Sequence, residues 1–177
     1  RKYLTQNVAS HIIGYIGRIG STEYKNKKDQ GYSQNDMIGK SGIEATFENF
    51  LRGKDGKMRL EMDSEGRVTD KEETIESEMG NSVILTIDFD LQKKAEEVLE
   101  KYIKKIQSGG FSDKCEDAKA GALVVLDTKT SEVLALASYP EYNPDEFTDG
   151  ISASEYKKYF ENEDMPMFNR AIQGTYS

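Results

Sequence analysis

With 177 residues, 32% charged and 36% hydrophobic, and a formal net charge of −8, the chain is long enough for one domain or one and a half. Its acidity argues against nucleic-acid binding, which needs clustered Lys and Arg on the phosphates. One cysteine, Cys115, excludes an intrachain disulfide or a cysteine metal cluster, and one histidine, His11, would have to serve alone in any Ser-His-Asp triad or histidine zinc site.

No run of about 18 apolar residues and no signal-peptide pattern occurs. The chain begins at Arg1 without a methionine and reads as an excised piece, so the lack of an anchor in it says little about the parent protein. Ala9–Ile19, ASHIIGYIGRI, is rich in β-branched and aromatic residues and predicts a strand bent at Gly14 and Gly17, with His11 as a structural histidine. Ser21–Asp36 is polar and predicts an exposed loop with at most a short helical turn.

Ser41–Gly53 predicts a helix. Ser41 and Glu44 fit a capping box, Ile43, Phe47, Phe50 and Leu51 share one face, and Gly53 suits a left-handed cap. Lys57–Asp63 alternates with period two and predicts a half-buried strand, with Met58, Leu60 and Met62 on one face. Ser64–Arg67 is a turn, and acidic Val68–Gly80 has modest strand or loop character. A domain boundary is placed near Gly80-Asn81.

Ser82–Asp88, SVILTID, predicts a strand. Asp88 or Asp90 then caps a helix over Leu91–Gln107 whose apolar stripe is Leu91, Ala95, Val98, Leu99, Tyr102, Ile103 and Ile106. Ser108-Gly109-Gly110 ends it, and Phe111–Lys119 is a charged connector. Leu123–Leu126 lacks alternation, as in a strand buried on both faces. Asp127–Ser131 turns, and Val133–Ala137 returns antiparallel. The fold class is therefore α+β, with a helix across a sheet. Tyr139–Phe147 reads as an ordered loop, and Ser152–Glu161 as a short helix with a second capping box, Ser152 and Glu155.

Three fragments imitate the motif set of penicillin-interacting serine enzymes: Ser154-Glu155-Tyr156-Lys157, Ser33-Gln34-Asn35 and Lys129-Thr130-Ser131. Helix capping explains the first, the second lies in a polar loop, and the third is the hairpin turn. The carboxylate pairs Asp88 with Asp90 and Glu72 with Glu73 read as caps and solvated charge. No catalytic, cofactor-binding or metal-binding residue is assigned in this chain.

Four longer blocks nonetheless resemble the class B penicillin-binding proteins, the monofunctional D,D-transpeptidases of cell-wall synthesis. Ile38–Arg67 is similar to that family's G-x-x-G-(I/L)-E…L-R-G-x-x-G…D-x-x-G-R signature. Ser82–Leu99 is similar to L-T-I-D-x-x-L-Q-x-x-A-E, which opens the transpeptidase domain. Gly121–Phe147 is similar to G-A-x-V-x-(L/M)-D…A-S-x-P-x-(Y/F)-(D/N)-P-N-x-F, and Asn169–Ser177 to the N-R-A…Y-x-P-G-S-x-x-K approach to the nucleophile. His11–Ile19 resembles a strand of the elongation, or rod-shape, type; a division or sporulation type is the alternative within the family. Ser131 stands where the family usually has Gly, and Asp145 where it usually has Asn. Ser177 aligns with the residue before Pro-Gly-Ser, so the resemblance implies a chain truncated before its catalytic serine.

The resemblance further implies a mixed pedestal (dimerisation) domain over residues 1–80. The N-terminal portion of the transpeptidase domain (strand, helix, β-hairpin) would follow over 81–177. It implies peptidoglycan stem peptides as substrate, acylation by β-lactams, and elongation-machinery partners including a glycosyltransferase. The location would be the extracytoplasmic face of the bacterial membrane, with a membrane anchor upstream of this chain. No cofactor and no nucleic acid is implied. A non-catalytic scaffold that binds cell-wall synthesis partners is the alternative function.

Overall fold

In the computed structural model, the residues described are 3–4, 7–111 and 113–175, with only the backbone of Glu73. They form two compact units, one of residues 1–46 with 85–177, the other of residues 47–84.

The first unit opens with helical turn α1 (Ser10–Ile13) and strand β1 (Ile16–Arg18). The predicted single bent strand is therefore corrected to a helical turn and a short strand. Gly14, at φ +80, is the break, as the left-handed region it occupies disfavours any side chain. Helix α2 (Ser21–Lys27) runs into a 3₁₀ turn (Lys28–Gln30), more helix than the expected loop, with Glu23 returning to the backbone N–H of Gly20 at 2.7 Å. Strand β2 (Met37–Gly39) pairs antiparallel with β1, and Ile19, Tyr32 and Ile38 make a small core beside them.

The predicted helix over 41–53 is two pieces, α3 (Gly42–Thr46) and α4 (Glu48–Leu51), broken at Phe47, which leaves helical geometry at φ −106, ψ 17. The apolar stripe does not bury as a unit: Phe50 is exposed, while Glu44 and Glu48 are buried. Backbone crowding explains α3. A Cβ on Gly42, itself at φ +58, would lie 2.5 Å from the Ile12 carbonyl oxygen, and one on Gly14 1.9 Å from that of Ser41. The α1 and α3 backbones thus touch at Gly14 and Gly42.

In the second unit α4 ends at Leu51, followed by extended Arg52. Gly53 is not a left-handed cap. It is needed because a Cβ there would lie 2.3 Å from the Glu78 carbonyl oxygen, where Lys54 and Glu78 bridge. Strands β3 (Lys57–Met62) and β4 (Val68–Ile75) form a two-stranded antiparallel ribbon joined at the expected Ser64–Arg67 turn, with Gly66 at φ +77. The half-buried expectation for β3 is corrected: all six of its residues are exposed. A lone ribbon has no second layer to cover its apolar face.

The expected strand over Ser82–Asp88 does not form: these residues, which lead from the second unit back into the first, make no strand ladder. The segment hydrogen-bonds to the next sheet: Thr86 Oγ1 donates to the Val133 carbonyl at 2.7 Å, and Asp88 N–H to that of Leu134 at 2.9 Å. Asp88 caps helix α5 (Phe89–Gln107) by accepting from Leu91 N–H at 2.8 Å. Strands β5 (Gly121–Leu126) and β6 (Val133–Tyr139) form the expected hairpin. Helix α5 lies across one face of it, with Leu91, Ala95 and Leu99 against Leu123, Val125, Ala135 and Ala137. Ala135 and Ala137 are fully buried, their small side chains letting the helix approach.

Strand β5 is not buried on both faces as expected. Val124 and Leu126 are exposed opposite the helix. In the turn, Asp127 Oδ1 accepts from the N–H groups of Lys129 and Thr130 at 2.6 and 3.0 Å, which holds its carboxyl below the usual range. Ser131 takes φ +63, a conformation that costs a side chain about 1 kcal/mol or more. That accounts for Gly at this position in the resembled motif.

After a cis Tyr139-Pro140 bond the chain forms a 3₁₀ turn (Pro144–Phe147), helix α6 (Ala153–Phe160) and helical turn α7 (Arg170–Gln173). The α6 capping box is as expected, with both Ser152 and Glu155 bonds present. Tyr142, Phe147 and Tyr159 form an aromatic core joined by Tyr15.

Candidate functional site

The densest buried polar cluster lies where the end of β6, α1 and the start of α7 meet. Ser138, near the end of β6, is 1% exposed. Its hydroxyl accepts from Arg170 N–H at 3.0 Å and donates to the Phe168 carbonyl at 3.2 Å. The Arg170 side chain is buried, and its guanidinium donates to the carbonyls of Asp164, Met165 and Phe168 at 2.5, 3.0 and 3.4 Å. Burying a permanent charge is tolerable only when its donors are filled, and here one turn of the chain wraps carbonyls around it.

Asn169 caps α7 by accepting from Ala171 N–H at 3.2 Å, and its amide reaches the His11 carbonyl at 3.4 Å. The His11 ring nitrogen Nε2 lies 2.8 Å from the Pro166 carbonyl, which makes it the donor. Burial pushes the His11 pKa down and keeps the ring neutral; the Pro166 contact opposes this and the Arg170 charge adds to it. Tyr142 stands edge-on to His11 and donates its phenol to the Ser10 carbonyl at 2.9 Å. Its own pKa is pushed up to about 12 by burial.

A second polar set fastens α5. The Gln92 amide, fully buried, donates to the Leu136 carbonyl at 2.9 Å and accepts from Leu136 N–H at 2.7 Å. It thus acts as a neighbouring strand residue for β6. Gln92 also donates to Glu96 at 2.7 Å, and Glu96 accepts from Ala9 N–H at 2.9 Å. Burial raises the Glu96 pKa against the pull of these two bonds. Glu141 beside it is raised to about 8, first by burial and then by the Glu96 and Glu100 charges.

The motif imitations are not brought together as a reactive set. Ser154 lies on α6 with its hydroxyl 2.9 Å from that of Ser152, and Ser154 and Lys157 are both exposed. Ser33 N–H donates to Asp36 in an exposed turn. Lys129-Thr130-Ser131 is the hairpin turn already described. Asp88 is the α5 cap, Asp90 lies in the first turn of α5, and Glu72 is exposed on β4. Among the described residues, no group of three metal-capable side chains is found. Asp145 now has a role: its Oδ1 accepts from Tyr3 N–H at 3.0 Å, a bond that an Asn oxygen would make equally.

Ser138, Arg170, Gln92 and Glu96 were not singled out from the sequence. The sequence signal that marks them is the family resemblance: Gln92 and Glu96 fall in L-Q-x-x-A-E, Ser138 in A-S-x-P and Arg170 in N-R-A, though no role for them follows from those blocks alone. Tyr176 and Ser177, at the end of the N-R-A block, lie outside the described residues.

Residues 1–85 match the family model for the penicillin-binding protein dimerisation domain, and residues 121–177 that for the penicillin-binding protein transpeptidase domain. The chain belongs to the penicillin-binding proteins. Within that family it is similar to the peptidoglycan D,D-transpeptidase MrdA of Acinetobacter baumannii, 32% identical over 176 residues, covering 99% of this chain and 24% of the relative. MrdA of Haemophilus influenzae is 34% identical over 180 residues, covering 99% and 25%.

The chain thus spans about a quarter of the length of the curated relatives it matches. Among solved structures it is similar to a chain of a peptidoglycan synthase complex, described as coordinating polymerization and crosslinking. The TM-score is 0.82 at 34% identity, covering 97% of this chain and 29% of that one. The penicillin-binding protein PBP2 of Helicobacter pylori in complex with MreC gives 0.72 at 30% identity, covering 96% and 28%. In this penicillin-binding protein the compact units cut across the two family models. Residues 1–46 match the dimerisation domain yet share a unit with the whole transpeptidase match. His11, Ser10, Ala9 and Tyr3 each make a bond to a residue beyond position 95.

Proposed function

We propose that the chain is the pedestal and the opening of the transpeptidase domain of an elongation-type D,D-transpeptidase, divided functionally at residues 1–80 and 81–177. The observation that carries this reading is the near-complete alignment with MrdA transpeptidases together with the transpeptidase-domain match over residues 121–177. In the natural protein a serine beyond Ser177 attacks the penultimate D-alanine carbonyl of a stem peptide, and the terminal D-alanine leaves as its amine. The resulting ester is then attacked by an amine of a second stem, forming the cross-link and returning the serine hydroxyl. Backbone N–H groups hold the oxyanion. A β-lactam carbonyl takes the place of the stem and acylates the same serine.

The residues described here hold and aim; they do not react. Elongation-machinery partners, a glycosyltransferase among them, and a setting at the outer face of the membrane follow from the same reading. No helix among the described residues is long and apolar enough to cross a membrane. Labelling with a fluorescent penicillin tests the proposal. The 177-residue chain stays dark, while the natural protein continuing past Ser177 takes one label on serine. Labelling of the short chain would return attention to Ser154. A folded natural protein that takes no label would favour a scaffold.

A further inference from the structure

Helix α7 is a single turn packed beside β5 and β6 with its outer residues exposed. Ile172 is 71% exposed, and Gln173 is also exposed. Its position is set at its first residues. The hydrogen bonds there run in series from the sheet: Gln92 pins Leu136, Ser138 follows two residues on along β6, and the Ser138 hydroxyl takes Arg170 N–H. The Arg170 guanidinium then gathers the carbonyls of Asp164, Met165 and Phe168, which fixes the turn before α7 as one piece. A planar fork with five donors suits this task better than an ammonium, whose charge is a point on a flexible stem. Arg170 also borders a groove of about 360 Å³ lined by Gly121, Ala122, Val124, Ala171 and Gly174, so α7 itself faces open space beside β5.

We infer that Arg170, seated on Ser138, is a positioning residue: it sets where α7 presents the segment that follows it. This rests on the proposed acyl-transfer reading, in which the nucleophilic serine lies in that following segment. Arg170 acts through the turn, and a displacement of about 1 Å in a reacting group can cost about 100-fold in rate. The expected signature is a loss in the rate of the acylation step with little change in β-lactam binding.

The test uses the full natural protein and pre-steady-state acylation by a fluorescent penicillin, separating the saturating acylation rate from the half-saturating concentration. Arg170→Met keeps an unbranched, roughly stem-length side chain and removes the guanidinium donors. Its saturating rate is expected to fall about 10- to 100-fold, with the half-saturating concentration within about twofold and the label still reaching every folded molecule. Arg170→Lys recovers part of the rate. Ser138→Ala, which removes one hydroxyl and little volume, lowers the rate by a smaller factor with the same pattern, and it decides the matter should Arg170→Met not fold. Wild-type saturating rates in Arg170→Met, or in Ser138→Ala if that alone folds, overturn the inference and leave the acyl-transfer reading standing. A wild-type protein that takes no label overturns both.

Discussion

The two compact units solve the same problem, how to order a polar chain, in opposite ways. The first buries polar groups and gives them partners far away in sequence: Gln92 on β6, Glu96 on Ala9, His11 on Pro166. The second buries little. Its ribbon leaves Met58, Leu60 and Met62 exposed at 57%, 44% and 60%, and its order comes from the strand ladder, a tight turn and local ion pairs such as Lys54 with Glu78 at 2.8 Å. Exposed pairs of that kind contribute about 1 kcal/mol at most. The contrast teaches that in this molecule side-chain identity matters most where backbones and polar groups are crowded, and little along the ribbon.

Matched glycine substitutions test this most strongly. Gly42→Ala places a Cβ 2.5 Å from the Ile12 carbonyl oxygen at φ +58, whereas Gly66→Ala, at φ +77, meets nothing within 4 Å. Thermal or denaturant unfolding is expected to register a loss of about 3 kcal/mol or more for the first and about 1 kcal/mol for the second. Equal losses would erase the distinction between the units. Gln92→Leu comes next. It strands the N–H and carbonyl of Leu136 in a buried setting and is expected to cost about 2–4 kcal/mol. A cost under about 0.5 kcal/mol would mean that those groups find other partners.

The pH response has a definite sign. Glu141 in the folded state titrates near 8, against an ordinary 4.5. Between these values the folded state holds a proton that the unfolded chain has lost. Stability therefore falls as pH rises through this window and levels off above it. Glu141→Gln should flatten that decline in a series of melting temperatures from acid to mildly basic pH. An unchanged slope would assign the decline elsewhere. Smallest is Leu60→Thr on the ribbon, expected to shift stability within about 0.5 kcal/mol because its site is already wet.

How much of this was legible in the sequence follows from the range of each interaction. Helix α5, the β5–β6 hairpin and α6 were readable because their determinants are local: the Asp88 cap, the period of the apolar stripe, the Ser152–Glu155 box. The region from Ser41 to Gly53 misled for the same reason. Its stripe and capping box favour one helix locally, but the contact of the α1 and α3 backbones at Gly14 and Gly42 and the break at Phe47 are tertiary. SVILTID has strand composition, yet its hydrogen bonds to Val133 and Leu134 do not extend into a ladder among the described residues. The pairing within the cluster around Arg170 was hidden, although Ser138 and Arg170 both stand in blocks that carry the family resemblance, since His11 and Pro166 are 155 positions apart and Ser138 and Arg170 are 32 apart. No window along the chain contains both partners.

Gln92 has one more consequence, for the direction in which the sheet can grow. By occupying Leu136 on both its N–H and its carbonyl, and with Asp88 taking the Leu134 carbonyl, α5 and its lead-in seal the outer rim of β6 against any incoming strand. The rim of β5 has no strand beside it among the described residues. The hairpin is thus an open-ended template with one closed side, and any further strand, from this protein or from a neighbouring copy, has β5 alone to join.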